Sequence, residues 1–251
     1  MAERRPWHYL VAIGILAAGW EALAIALAVP AFPRLGPALV ALWQGVAEGE
    51  LLLHTWVSLC RVAYATALAL VLGVPLGLYL GRSGGPIGSV LIYLTHPIPK
   101  VVFLPVIMVV LGIGDLSKVF MIFLILFFQI LVTVRDGAAA VEPGHLIAVT
   151  ALGARGWQVY RHVVIPATLP RVFTALRLST ATAVAVLFFA ETYATTHGLG
   201  AYVWDAWSAR DYDDMFAGVI AMAVLGFGFH TAADLLERVC CPWVRAQVRQ
   251  S

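Results

Sequence analysis

The chain has 251 residues, of which 61% are hydrophobic and 12% charged, with a formal net charge of +2. A soluble domain carries about 25% charged residues, so this composition excludes one, and so small a net charge gives no electrostatic basis for binding nucleic acid. Apolar runs of about 20 residues recur, long enough for a hydrocarbon core about 30 Å thick, and they are continuous rather than alternating, which excludes a β-barrel. The expectation is an all-α polytopic membrane helix bundle of about six transmembrane helices, one domain over residues 1–251, embedded in membrane lipid.

The first apolar run covers residues 9–29, behind Arg4 and Arg5. It is too long for the hydrophobic region of a signal peptide, and Glu21 interrupts it, so it reads as a first span. Glu21 either pairs with another helix, with Arg61 as a candidate partner, or serves transport; Arg61 itself reads as an outer-interface residue. The second span, 55–80, leads into a stripe of Gly73, Gly77 and Gly81. Small residues four apart let helix axes approach closely, either inside the bundle or at a subunit interface.

The third span, 87–111, contains Pro97, Pro99 and Pro105 and must kink or break. Broken helices survive in membranes where protein or a cavity covers the freed backbone groups, which favours the bundle interior or a pathway. Lys100 follows the Pro-Ile-Pro sequence. It either faces a water-filled path that attracts an anion, or closes a helix end or pairs with an acid. The fourth span is 116–134.

The fifth span, 172–191, ends at Glu191, which reads as a structural hydrogen-bonding group or as a gate or substrate residue. The sixth is 215–236. Arg177 and Asp234 lie within reach of span ends and can snorkel; Gln129 and His230 read as interhelical hydrogen-bonders. The candidate translocation path is therefore Pro97, Pro99, Lys100 and Glu191.

Charge sets the expected orientation. With the N-terminus inside, the inner segments hold Arg4, Arg5, Arg82, Arg135, Arg155, Arg161, Arg171, Arg238, Arg245 and Arg249. The outer ones hold Arg34, Lys118 and Arg210 among seven acids (Glu48, Glu50, Asp115, Asp205, Asp211, Asp213 and Asp214). This is a positive-inside pattern with both termini and the 135–171 loop in the cytosol.

The chemistry of an engine is missing from the pattern. A phosphate-binding P-loop places a lysine after a glycine-rich turn, whereas the only two lysines, Lys100 and Lys118, follow Pro99 and Ser117. Cys60, Cys240 and Cys241 have no disulfide or metal spacing. No catalytic or metal-binding residue is assigned, and the chain is not expected to be an enzyme.

Within the loop 135–171, the stretch from Glu142 to Pro170 is the longest polar-containing segment of the chain. Glu142-Pro143-Gly144 breaks the preceding helix, residues 145–152 form about two turns, and Gly153 permits a reversal. Residues 156–164 are expected to form a second short helix, stopped by Pro166 and Pro170 before the next span. Two short helices joined at a glycine make a knob for a partner's groove.

This loop resembles the signature of the membrane subunits of bacterial ABC importers: Glu-Ala-Ala, three residues, Gly, nine residues, Ile-x-Leu-Pro. Here the aligned positions are Ile147-Ala148-Val149, Gly153 and Val163-Val164-Ile165-Pro166, with Ile147 in place of the acid and Val149 in place of the second alanine. Within that superfamily the chain resembles the nitrate/sulfonate/taurine group over most of residues 54–236. The pieces are His54-Thr55, Ser58, Arg61, Gly73-Val-Pro75-Leu-Gly77, Pro97-Ile-Pro99-Lys100, Gly112-Ile-Gly114-Asp115-Leu-Ser117-Lys118, Leu176-Arg177, Glu191 and Gly198-Leu-Gly200.

The resemblance implies a type I importer permease in the bacterial cytoplasmic membrane. Its implied partners are a second permease copy, a cytosolic ABC ATPase dimer, and a periplasmic or lipid-anchored solute-binding protein. No cofactor is implied in this chain, since ATP and Mg belong to the ATPase. Ile147, Ala148, Val149, Leu152, Gly153 and Ala154 are the implied ATPase-coupling residues. A small nitrate-, sulfonate- or taurine-like anion is the favoured solute, with vitamin precursors and aromatic acids as alternatives within the group. An ATP-independent secondary transporter and a structural membrane scaffold are the competing functions.

Overall fold

A computed structural model describes residues 6–95 and 97–243, and every regular element among them is a helix. Arg4, Arg5, Arg245 and Arg249, which enter the charge argument above, lie outside the described residues. The order is α1 (Pro6–Leu27), α2 (Leu35–Glu48), α3 (Glu50–Ser83), α4 (Gly85–Thr95), a 3₁₀ turn (Lys100–Phe103), α5 (Leu104–Leu111), α6 (Asp115–Ala139) and α7 (Pro143–Ala151). There follow α8 (Trp157–Val159), a π turn (Tyr160–Val164), α9 (Ile165–Glu191), α10 (Leu199–Ala209) and α11 (Tyr212–Cys240). Among the described residues, five helices are long and apolar enough to cross a membrane: α1 from Trp7, α3, α6, α11 and the continuous run Trp157–Glu191.

The expected third span is the sixth apolar segment. It breaks as its prolines require, into α4, a non-helical turn at Pro97 to Pro99, and the apolar stretch Lys100–Leu111. The long helices overrun their apolar cores. α3 begins at Glu50 and keeps Arg82 in its last turn, and α11 begins with Asp213 and Asp214 in its first turn and ends with Arg238. Each places acids at the positive end of the helix dipole and arginine at the negative end, so polar residues beyond the apolar run still stabilise the helix.

The loop departs from expectation on its second half. Pro166 and Pro170 do not stop a short helix; Trp157–Glu191 runs on for 35 residues. The π turn ends at Val164, two positions ahead of Pro166, and widens the backbone where an ordinary turn would meet the proline ring. Tertiary packing holds the stretch: Val164 and Thr168 are fully buried, and a Cβ built on Gly137 would lie 3.2 Å from Thr168 Cγ2. The connector outside the long helices is therefore 140–156 rather than 135–171.

The chain divides into two compact units. The first comprises Met1–Val57 and Thr196–Ala223. Trp20 stacks edge-on against Phe216 at 5.1 Å, tilts over Phe32 at 5.5 Å and donates from Nε1 to the Pro33 carbonyl at 3.0 Å. Glu21 finds partners within its own unit. Its carboxylate accepts from Arg34 Nε at 2.6 Å and from the Leu35 backbone N–H at 3.2 Å, so it serves as the missing cap of α2, whose own N-cap Arg34 makes none. Ala38, Ala41 and Gly45 form the buried stripe of α2, with Gly45 against Leu51 and the Tyr202 hydroxyl. Burial, reinforced by Asp214, pushes the Tyr202 phenol above its ordinary range.

The second unit comprises Ser58–Thr195 and Val224–Ser251. Its axis is the α6–α9 pair, with Ile122, Ile130, Val134, Leu187 and Ala190 fully buried. The glycine stripe resolves to packing within the chain. Cβ atoms added at Gly73, Gly77 and Gly81 would approach α6 at 3.3 Å from Ile130, 2.9 Å from Val134 and 2.5 Å from the Arg135 carbonyl. α11 is tied to α9 by Arg177, whose Nη1 donates to Asp234 at 3.0 Å and pairs with Glu237. Arg177 and Asp234 thus meet each other rather than snorkelling apart. Gln129 Nε2 donates to Thr182 Oγ1 at 3.2 Å, as an interhelical hydrogen-bonder should.

Candidate functional site

Three helices of the second unit bring charge to one place. Ser58 and Arg61 stand one turn apart on α3, Asp115 and Lys118 one turn apart at the start of α6, and Glu191 closes α9. Glu191 and Ser58 are fully buried, and Arg61 and Lys118 are 6% and 2% exposed. Arg61 Nη1 donates to Glu191 Oε1 at 2.6 Å, and Arg61 Nε donates to Asp115 Oδ1 at 2.9 Å. The Ser58 hydroxyl lies 2.8 Å from both Glu191 oxygens. Lys118 Nζ donates to the Gly114 carbonyl at 3.3 Å and interacts electrostatically with Arg61, Asp115 and Glu191.

Two cations and two anions make a neutral set, the condition for burying charge at tolerable cost. The cluster fastens α3, α6 and α9 at the end of α9 away from α7. Arg61 is a buried bridging residue, held by acids 54 and 130 positions away in sequence. In the sequence Ser58 is visible only as a motif piece, while Asp115 and Lys118 also count among the charges of the expected outer segments. The available signal was Asp-Leu-Ser-Lys at a helix start behind Gly112 and Gly114.

Lys100 closes the broken helix. Its ammonium donates to the carbonyls of Thr95 at 3.1 Å and Ile98 at 3.3 Å, and lies 4.4 Å from the centroid of the Phe128 ring. Pro97 and Pro99 are exposed on the intervening turn. In the first unit, His54 Nδ1 sits 2.8 Å from the Gly198 carbonyl and 3.0 Å from its N–H, serving one or the other according to tautomer.

α7 has the opposite character: none of its residues is buried. Ile147 is 66% exposed and Leu152, at its C-cap, 88% exposed. Ala148 is exposed and Val149 half-buried; Gly153 turns the chain at φ +88, which a side chain would resist, and Ala154 follows with its N–H on the Val149 carbonyl at 3.2 Å. The six coupling-candidate residues thus form one short, solvent-facing helix and its reversal, held between the ends of α6 and the 35-residue Trp157–Glu191 run.

Residues 69–245 match the family described as "Binding-protein-dependent transport system inner membrane component". The chain belongs to this family. As a permease of that kind it resembles the taurine transport system permease protein TauC of Escherichia coli, at 31% identity over 80% of this chain and 74% of the relative. A putative ABC transporter permease of Methanocaldococcus jannaschii is 32% identical over 89% of the permease and 87% of the relative. The nitrate import permease protein NrtB of Synechocystis is 25% identical over 79% and 73%. Among solved structures, an inward-facing form of the MetNI methionine ABC transporter superposes with a TM-score of 0.61 at 20% identity, covering 76% of the permease and 95% of that chain, which shows the shared fold. The permease is a multi-pass membrane protein of the nitrate/sulfonate/taurine importer type.

Proposed function

We propose that the permease, acting as a single domain, forms half of an ATP-driven import pathway and receives its power through α7. The observation that carries this reading is a helix without one buried residue, bearing exposed Ile147 and Leu152, at the foot of a long rod. Exposed apolar side chains on a short, rigid helix fit a groove on a partner. A cytosolic ABC ATPase dimer, holding ATP and Mg, occupies that role. Its closure displaces α7, and the rod Trp157–Glu191 carries the displacement as a rigid body.

A second permease copy completes the pathway, and a periplasmic or lipid-anchored binding protein delivers the solute. Both termini lie in the cytosol, with α7 and the arginines at 82, 135, 155, 161 and 171, in the bacterial cytoplasmic membrane. The solute is a small oxyanion or organosulfonate, in keeping with relatives named for taurine, aliphatic sulfonates and nitrate. Pro97, Pro99 and Lys100 border the path at the helix break, and Glu191 steadies its wall through Arg61.

The test is co-purification of the cognate ATPase with the intact permease and with Ala148→Asp and Leu152→Arg. Both sites are exposed, so the variants should insert and fold. Loss of the ATPase from both variants, and ATP-driven uptake blocked by vanadate in the intact complex, are the expected results. Full retention of the ATPase by both would move the docking surface elsewhere.

A further inference from the structure

Where α3 passes into α4 and α6 heads toward α7, a cleft of about 370 Å³ is lined by Leu80, Gly81, Arg82, Gly85, Arg135 and Asp136, among others. It lies wholly within the second unit. The close approach of Gly81 to the Arg135 backbone brings arginines from the ends of two different spans to one opening. Arg82, on the last turn of α3, has no ion pair or hydrogen bond among the described residues. Arg135 gives Nε and Nη2 to Asp136 Oδ1 at 2.9 and 2.6 Å, which leaves its Nη1 without a partner among the described residues.

Two guanidiniums therefore face one carboxylate, and the cleft carries a net charge of +1. The N-terminus of α4, an 11-residue helix, opens beside it at Gly85 and adds a positive dipole end. Depth completes the argument. The two spans end at Ser83 and Ala139, so the cleft sits at the boundary between hydrocarbon and water, where lipid phosphates lie. Leu80, two residues before Arg82 on α3, adds an apolar wall to the cleft. Planar guanidiniums match tetrahedral phosphate oxygens in pairs, and basic pockets between spans hold anionic headgroups.

We propose that this cleft binds the phosphodiester of an anionic phospholipid, gripped by Arg82 and Arg135 with Asp136 as the internal competitor for Arg135. Asp136 lies seven residues before α7, and the site is independent of which solute crosses.

The full-length permease is extracted from vesicles of phosphatidylcholine mixed with phosphatidylglycerol, and retained lipids are counted by native mass spectrometry. Wild type should retain phosphatidylglycerol over phosphatidylcholine. Each of Arg82→Gln and Arg135→Gln should lower that preference about fivefold. Asp136→Asn should raise it by a similar factor, an effect opposite in sign that misfolding cannot produce. Equal retention of the two lipids by wild type overturns the proposal, as does a fall in Asp136→Asn that parallels the arginine variants. Displacement of phosphatidylglycerol by millimolar inorganic phosphate would make the site one for free phosphate and overturn the lipid assignment.

Discussion

Replacing Glu191 by glutamine keeps the shape of the side chain and its contact with Ser58 but removes one of four charges. The fully buried partner of Arg61 is then neutral, and the remaining acid, Asp115, has a side chain that is 72% exposed. Breaking a buried pair by neutralising one member costs about 3–5 kcal/mol, and an exposed, solvent-screened Asp115 offsets only a small part of that. For a chain of this size each kcal/mol moves the thermal midpoint about 2–4 °C, so Glu191→Gln should fall by about 6–20 °C. Asp115→Asn removes an exposed partner and should cost about 0–1 kcal/mol.

The informative variant is Arg61→Met combined with Glu191→Leu. It leaves Lys118 with Asp115, a neutral remainder, and replacement of a buried pair by apolar residues is often neutral or stabilising. It should recover most of what Glu191→Gln loses. The assay is thermal unfolding of the detergent-solubilised permease followed by circular dichroism. A drop in Glu191→Gln no larger than in Asp115→Asn, or a double variant at or below the single one, would refute the assignment of a neutral buried cluster.

Three further outcomes are expected. Gly81→Ala places a Cβ 2.5 Å from the Arg135 carbonyl and should destabilise by about 1–3 kcal/mol, whereas Gly19→Ala, with open space around its Cβ, should not; comparative thermal unfolding checks the pair. Leu152→Arg, at an 88% exposed position, should change folding stability by no more than about 0.5 kcal/mol in thermal unfolding while abolishing ATP-driven uptake. The Tyr202 phenol is held above its unfolded value of 10.0 mainly by burial. A raised folded-state value means stability is intact below the unfolded value and is lost as pH climbs past it. Alkaline unfolding above about pH 10 should therefore be less steep in Tyr202→Phe, measured by unfolding at stepped pH.

The spans were legible because apolar run length and lipid thickness constrain each other directly. Their ends were not, since Glu50, Arg82, Asp213 and Arg238 are polar yet stabilise terminal turns. The break at Pro97 and Pro99 followed from proline chemistry alone, while the same rule misjudged Pro166 and Pro170, where a π turn and the buried Thr168 override it. The glycine stripe announced a close approach but not the partner, which is α6. Arg61 shows the limit most clearly: a single sequence gives the cost of a charge in a span, but not which acid more than 100 residues away meets it. Glu21 went the other way, finding Arg34 and the α2 cap 13 and 14 positions downstream. For α7, Pro143 and Gly153 marked the ends, but the exposure that makes it a docking candidate belongs to the folded chain.

The central claim is that the permease supplies a conduit and draws its power through α7. The most direct measurement is solute accumulation in sealed vesicles holding the permease alone, the permease with its ATPase and binding protein, and that full assembly carrying Gly153→Pro. Accumulation should appear only with the wild-type assembly and ATP. Accumulation by the permease alone under an ion gradient, without nucleotide, would contradict the claim.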